Sequence, residues 1–238
     1  EKPFASTYGD AIKMQALARD HKVKVMTNYQ MAWWPTNHEI KRQAAAGKVG
    51  DVWRLRGVVG HGGPGSSGAR SKYFFSWLTD PIQNGAGALV DFGCYNAIWS
   101  LWLKGAPDTV YATVNHLQRD RFPKVEDNSV MVLTYPDGVG IFEGSWDLPR
   151  SFQDLEVFGR EGSLYMNRNG VEYRDGRKPA EELAVTQLSP ETDDPIRYMI
   201  DHVVNDKPLD HIVAIDINVQ AVQILEAAKQ SIRESRAV

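Results

Sequence analysis

The chain carries one cysteine in 238 residues, so no internal disulfide can staple it. Cys94 alone leans it toward a reducing compartment, the cytoplasm. Basic runs are also missing: no stretch of Lys and Arg exceeds two residues, and the formal net charge is -3. That balance gives no general field for a polyanion and argues against nucleic acid as a partner. No apolar stretch approaches the roughly 18 residues that span a bilayer, and the first residues lack both a charged n-region and an apolar h-region. The expectation is therefore no membrane association. His21, His38, His61, His116, His202 and His211 show no i,i+4 pair and no cysteine partners, so no metal site is expected. A G-x-S-x-G elbow is absent, and nucleophilic serine chemistry goes with it.

What remains is an ordinary globular composition, 42% hydrophobic and 24% charged, long enough for one large domain or two modest ones. The seven tryptophans are the unusual feature, since wide aromatic surface builds cores and also stacks on sugar rings. From Ser6 to Asp20 the residues Ala11, Met14, Leu17 and Ala18 recur at helical spacing, and Lys22 to Met26 then alternates as a short strand. Together these read as the closing helix–strand unit of an α/β domain. Thr36 and Glu39 have capping-box spacing, predicting a helix that runs to Gly47. Beyond that point strands dominate: Val52 to Val59, Thr109 to Asn115, Ser129 to Tyr135, Val139 to Trp146 after an Asp137-Gly138 turn, Leu155 to Phe158, Ser163 to Met166, and Val171 to Tyr173. Tight turns between successive strands imply antiparallel pairing. Helices are expected from Leu89 to Leu103, from Pro195 to Val204 and from Ala214 to Ile232. Gly60 to Gly68 and Arg177 to Thr192 read as loops.

Gly60-His61-Gly62-Gly63-Pro64-Gly65 literally matches a dinucleotide fingerprint after a strand. Pro64 and the following Ser66-Ser67-Gly68 continue a loop, whereas a pyrophosphate needs a helix N-terminus there, so the match is read as a decoy. A stronger constellation joins Glu1-Lys2-Pro3 to Gly87-Ala88-Leu89-Val90-Asp91-Phe92-Gly93-Cys94-Tyr95. A lysine, a carboxylate and a phenol are the groups needed to move a proton on and off a hydroxyl while hydride is transferred. Asp91 has a second reading as the N-cap of the helix that starts at Phe92. Free tyrosine and lysine, near 10 and 10.4, are poor bases at neutral pH, so one of them would have to be shifted downward, by a neighbouring ammonium or by burial.

These segments, with the strand ending at Asn28 and Gly47-Lys48-Val49-Gly50-Asp51-Val52, resemble the Gfo/Idh/MocA oxidoreductase family over nearly the whole chain. The resemblance implies an α+β protein. Residues 1–31 would be the end of a Rossmann NAD(P)-binding domain whose fingerprint half precedes Glu1, and residues 32–238 an open, mostly antiparallel sheet domain with helices on one face. It implies that Lys2 lies beside the nicotinamide, that Pro3 follows a cis bond, and that Glu1, Lys2 and Pro3 touch NAD or NADP. It further implies that Asp91 and Tyr95 share the catalytic site with Lys2. Tyr95 stands where most members have histidine, as in members similar to glucose-fructose oxidoreductase. An arginine that many members place before the proline matching Pro35 is absent, which argues against a charged substrate held there. Asn28, Trp33, Trp34, Arg70 and Trp77 fall in segments that the family folds around the cleft, and they are candidate substrate contacts. The implied activity is hydride transfer between nicotinamide and a sugar, polyol or related cyclic alcohol. NAD-dependent glycosidase chemistry by transient oxidation, and non-catalytic ligand sensing, are the alternatives. A homo-oligomer formed through the sheet face is also implied, and this stretch by itself would bind dinucleotide poorly.

Overall fold

A computed structural model describes residues 1–65, 71–176 and 178–238. Helix α1, Tyr8–Asp20, starts where the Thr7 hydroxyl accepts the Asp10 N–H at 3.1 Å, and it buries Ala11 and Ala18. The expected strand over Lys22 to Met26 does not form. Just beyond it Thr27 donates to the Val213 carbonyl at 3.1 Å, at the end of a short 3-10 helix, His211–Val213, and not to a strand edge, so no ladder is built. Helix α2, Pro35–Ala45, opens directly on its proline. That placement puts Thr36 inside the first turn, where its buried hydroxyl has no partner, while Glu39 turns to Arg42 and Gln43. The capping box is therefore not made. Gly47, at φ 77°, ends the helix as expected.

Strand β1, Arg54–Gly60, is followed by α3, Lys72–Leu78, which the sequence did not announce. The helix expected from Leu89 is broken at Phe92 into α4, Ala88–Asp91, and α5, Gly93–Lys104. The buried Glu126 carboxylate accepts the N–H groups of Gly87 at 2.8 Å and Leu89 at 3.0 Å, fixing the entry to α4. A side chain at position 87 would bring its Cβ within 1.9 Å of the Glu126 carbonyl oxygen, so only glycine fits this approach. Six strands then follow: β2 Thr109–Asn115, β3 Asn128–Tyr135, β4 Gly138–Ser145, β5 Phe152–Phe158, β6 Ser163–Asn167 and β7 Gly170–Arg174. The short β8, Glu181–Leu183, corrects part of the stretch read as loop. Helix α6, Pro195–Val204, is capped by Asp194, and α7, Ile215–Glu234, is the longest.

Among the described residues the strands form one eight-stranded sheet in the order β2-β3-β4-β1-β5-β6-β7-β8. Every neighbouring pair is antiparallel except β1 and β4, which run parallel with Gly60 opposite Ser145. Period-two alternation sends Leu55, Met131, Phe142, Leu155, Leu164 and Met166 into the core, against α2, α5 and α7. The opposite face carries Arg56, ion-paired with Glu143 and Glu156, beside Tyr111 and Val130. Among the described residues no helix is long and apolar enough to cross a membrane, and no three His, Cys, Asp or Glu side chains gather to hold a metal ion.

Candidate active site

The break at Phe92 is what makes the site. It ends α4 on Asp91 and starts α5 so that Tyr95 lies in its first turn, and both residues are buried. The Lys2 ammonium donates to the Asp91 carbonyl at 2.8 Å and to Asp91 Oδ1. Trp146, fully buried at the end of β4, donates its indole N–H to Asp91 Oδ2 at 2.8 Å. Both carboxylate oxygens are therefore held, and Asp91 does not serve as a helix N-cap; Phe92 occupies that position. Lys2 Nζ lies 4.9 Å from the Tyr95 ring centroid and 5.7 Å from that of Phe92. Tyr29 supports Tyr95 edge-on at 5.3 Å. The Lys2–Pro3 bond is cis, as the resemblance implied.

Electrostatics correct the expectation of a group poised near neutrality. Burial is the largest single influence on Lys2 and opposes its charged form, but Asp91, with Tyr95 and Cys94, together outweigh it and hold the ammonium above its ordinary range. Burial pushes the Tyr95 phenol up to about 12, and the nearby ammonium recovers only part of that rise. Burial likewise carries the Cys94 thiol to about 12, leaving it inert. At pH 7 lysine and tyrosine are both protonated donors.

Beside this group opens a cleft of about 330 Å³ whose lining includes Gln30, His61, Phe92, Arg150, Asp154 and Arg168. His61 leaves β1 and meets Phe92 edge-on at 5.0 Å, while its Nδ1 accepts the Gly63 N–H at 3.0 Å. Arg121 clamps the same loop through the carbonyls of Gly62, at 3.1 Å, and Pro64, at 2.6 Å. The Gly60 to Gly65 run is a loop with no helix directly after β1 among the described residues, so it offers no phosphate cradle. Lys2 remains 16% exposed next to Tyr95. Of the residues expected to meet a nicotinamide, Lys2 keeps this exposed fraction, while the described part of the Gly60 to Gly65 loop does not fit a pyrophosphate.

The structure brings Lys2, Asp91 and Tyr95 together and spreads the proposed substrate contacts more widely. Asn28 accepts the Trp33 indole N–H at 2.8 Å, and Trp33 packs on Tyr198 and His211. Trp34 is buried beneath Arg168, whose guanidinium lies 5.2 Å over its ring. Trp77 packs against Phe74 on α3, and Arg70 lies outside the described residues. Sequence reasoning missed Trp146, His61, Arg150 and Arg168. Only His61 carried a signal, the glycine-rich run after a strand, which had been weighed for phosphate alone.

A mixed open sheet with helices on one face, carrying a part-buried lysine–aspartate pair at a helix break, defines an α+β fold. Residues 37–165 match the model of the GFO/IDH/MocA C-terminal domain, more than half of the chain, and the chain belongs to the GFO/IDH/MocA family of oxidoreductases. Three solved structures share its fold. Aldose-aldose oxidoreductase from Caulobacter crescentus, complexed with glycerol, has a TM-score of 0.85 and 21% identity, over 100% of this chain and 70% of that one. An inositol dehydrogenase homolog complexed with NAD+ from Azotobacter vinelandii has a TM-score of 0.82 and 19% identity, over 100% and 70%. Levoglucosan dehydrogenase, in complex with NADH and levoglucosan, has a TM-score of 0.81 and 18% identity, over 100% and 72%. No curated protein matches the chain.

Proposed function

We propose that this chain is the substrate-handling part of a cytoplasmic nicotinamide-dependent oxidoreductase acting on a sugar, polyol or related cyclic alcohol. The observation that carries the reading is the buried Lys2–Asp91 pair seated on the Tyr95 ring. Its structural relatives include an aldose-aldose oxidoreductase, an inositol dehydrogenase homolog and a levoglucosan dehydrogenase, which supports the substrate class. Residues 1–31 would close the dinucleotide-binding domain, and residues 32–238 form the substrate domain. NAD or NADP, when bound, would supply or accept the hydride.

The chain's own residues do the rest. The Lys2 ammonium, aimed by Asp91, donates a hydrogen bond to the reacting oxygen and stabilises negative charge as a carbonyl becomes an alkoxide. The Tyr95 hydroxyl, protonated at neutral pH, passes its proton to that oxygen in reduction and recovers it in the reverse direction. Asp91, with one oxygen on Lys2 and the other on Trp146, orients rather than accepts a proton. The same reading places a second copy of the chain on the open sheet face, where Tyr111, Val130, Val132 and Ile141 lie; sedimentation as a monomer at high concentration would refute that part.

The test uses full-length protein with each nicotinamide and a panel of aldoses and cyclitols, followed at the reduced-nicotinamide absorbance. Turnover that is lost in a folded Lys2→Ala variant is the expected result. Cofactor binding with no absorbance change for any sugar would overturn redox turnover and favour sensing or glycosidase chemistry.

A further inference from the structure

The cleft is cationic in an acidic protein. Arg150 and Arg168 face a single carboxylate, Asp154, although the whole chain carries a net charge of -3. Asp154 is already engaged, accepting the Tyr165 hydroxyl at 2.9 Å and standing 3.6 Å from Arg150. Arg150 is further tied down by a bond to the Ser151 carbonyl at 3.0 Å and by the Phe152 ring 3.5 Å beneath it. Arg168 differs. Among the described residues it forms no ion pair and no side-chain hydrogen bond, and its flat guanidinium lies over the Trp34 ring.

Its position is set by the turn that carries it. The Asn167 side chain accepts the N–H groups of Asn169 at 2.8 Å and Gly170 at 3.2 Å, closing the β6–β7 hairpin around Arg168. A pre-placed, planar fork of donors with no protein anion opposite is matched in geometry and charge by a carboxylate. His61 adds to this polarity: with Nδ1 accepting from Gly63, its neutral ring carries the proton on Nε2 and is a donor. Burial holds its pKa below the usual value, which keeps that neutral form at pH 7. Phe92 links the two ends, since it lines the cleft and its ring lies 5.7 Å from the Lys2 ammonium.

We propose that the cleft selects a sugar or polyol bearing a carboxylate, a uronate or an aldonate, and that Arg168 is the specificity-determining residue that reads this carboxylate. The proposal rests on the oxidoreductase reading for the site of hydride transfer, with the reacting hydroxyl at Lys2 and the carboxylate at Arg168. A lone guanidinium suits one monoanionic carboxylate better than a phosphate dianion, whose charge would remain half uncompensated. Arg70 and the missing arginine before Pro35 are not needed for it.

The test is calorimetric titration of full-length protein, saturated with nicotinamide dinucleotide, with D-glucuronate, D-glucose and glucose 6-phosphate. Glucuronate is expected to bind at least ~10-fold tighter than glucose, with a preference that shrinks as salt rises. Arg168→Gln should lower the glucuronate-to-glucose affinity ratio by about 10-fold. Arg168 is exposed on a hairpin tip, so an unchanged melting temperature verifies that the variant is folded. Equal binding of the two sugars, tighter binding of glucose 6-phosphate, or a ratio untouched by the substitution would each overturn the proposal. Turnover measured in parallel separates the two readings: a carboxylate preference without any nicotinamide redox change refutes the oxidoreductase and leaves the cleft assignment standing.

Discussion

Helix α5 has a lysine–aspartate–tyrosine group at each end. Near its start, Lys2 meets the Asp91 carboxylate and the Asp91 carbonyl at 2.8 Å, and stands 4.9 Å from the Tyr95 ring. At its end, Lys104 lies 2.8 Å from Asp137 and from the Val52 carbonyl, and 5.3 Å from the Tyr135 ring. Burial pushes both phenols up to about 12. The difference is the acid: the Asp91 side chain is 7% exposed and its second oxygen is held by Trp146, whereas that of Asp137 is 75% exposed on a hairpin turn. Residue types and lysine-to-ring distances are thus shared by a candidate catalytic group and a helix-terminating tether. What separates them is a carboxylate that cannot relax into water, next to a cleft.

The sharpest way to break this comparison is to remove each lysine. Lys2→Ala should cost roughly 10³-fold or more in turnover and about 3 kcal/mol in stability, because it strands a buried carboxylate. Lys104→Ala leaves Asp137 to water, so it should lower the melting temperature slightly and leave turnover intact. Equal kinetic losses in the two variants would erase the distinction. Tyr95→Phe ranks next, with an expected loss of roughly 10²-fold in turnover, against none for Tyr135→Phe in the same assay.

A smaller effect belongs to Trp146→Phe, which keeps a ring but leaves Asp91 Oδ2 without its donor. A loss of ~1–3 kcal/mol by chemical denaturation is expected, together with a displaced pH–rate profile. An unchanged profile would show the indole to be packing only. The smallest effects are in the pH dependence of stability. Tyr95 and Tyr135 have folded values raised above 10, so their contributions are complete below pH 10 and are lost as pH rises toward 12. Denaturation midpoints should fall over that window, and less so in the phenylalanine variants. Asp137 behaves oppositely: Lys104 lowers its value below 3.8, so its contribution is present above that pH and disappears under acid. Asp137→Asn should lower the midpoint slightly at pH 7 and flatten the acid limb, since the contribution it removes is the one lost under acid.

Much of this was legible in the chain. Strands β1 to β7 alternate clearly because one face is buried and the other open, and α7 shows its stripe because it packs on only one side. Lys2, Asp91 and Tyr95 were singled out through the family resemblance, and the structure brings the three together. The strand expected at Lys22 to Met26 failed because alternation does not say whether an edge is available. Helix α3 escaped notice because its aromatic run Tyr73-Phe74-Phe75 shows no helical period, and β8 because Glu181-Glu182 looks like solvent-facing loop. Trp146, His61 and Arg168 lie far from Asp91 in sequence; the pairing of β1 with β4 brings Trp146 and His61 to it, and the turn after β6 brings Arg168 into the same cleft as His61.

That parallel pair also sets the order in which the corner can form. Arg54 through Gly60 pairs with Val139 through Ser145, so the ladder closes only after the intervening helices and two strands have been threaded between them. Hairpins such as β3–β4 and β6–β7 need only short closures and can form early, whereas this long one adds entropy cost before any contact rewards it. The Trp146 indole should therefore reach Asp91 late in refolding, making the arrival of the working corner slower than the appearance of the sheet.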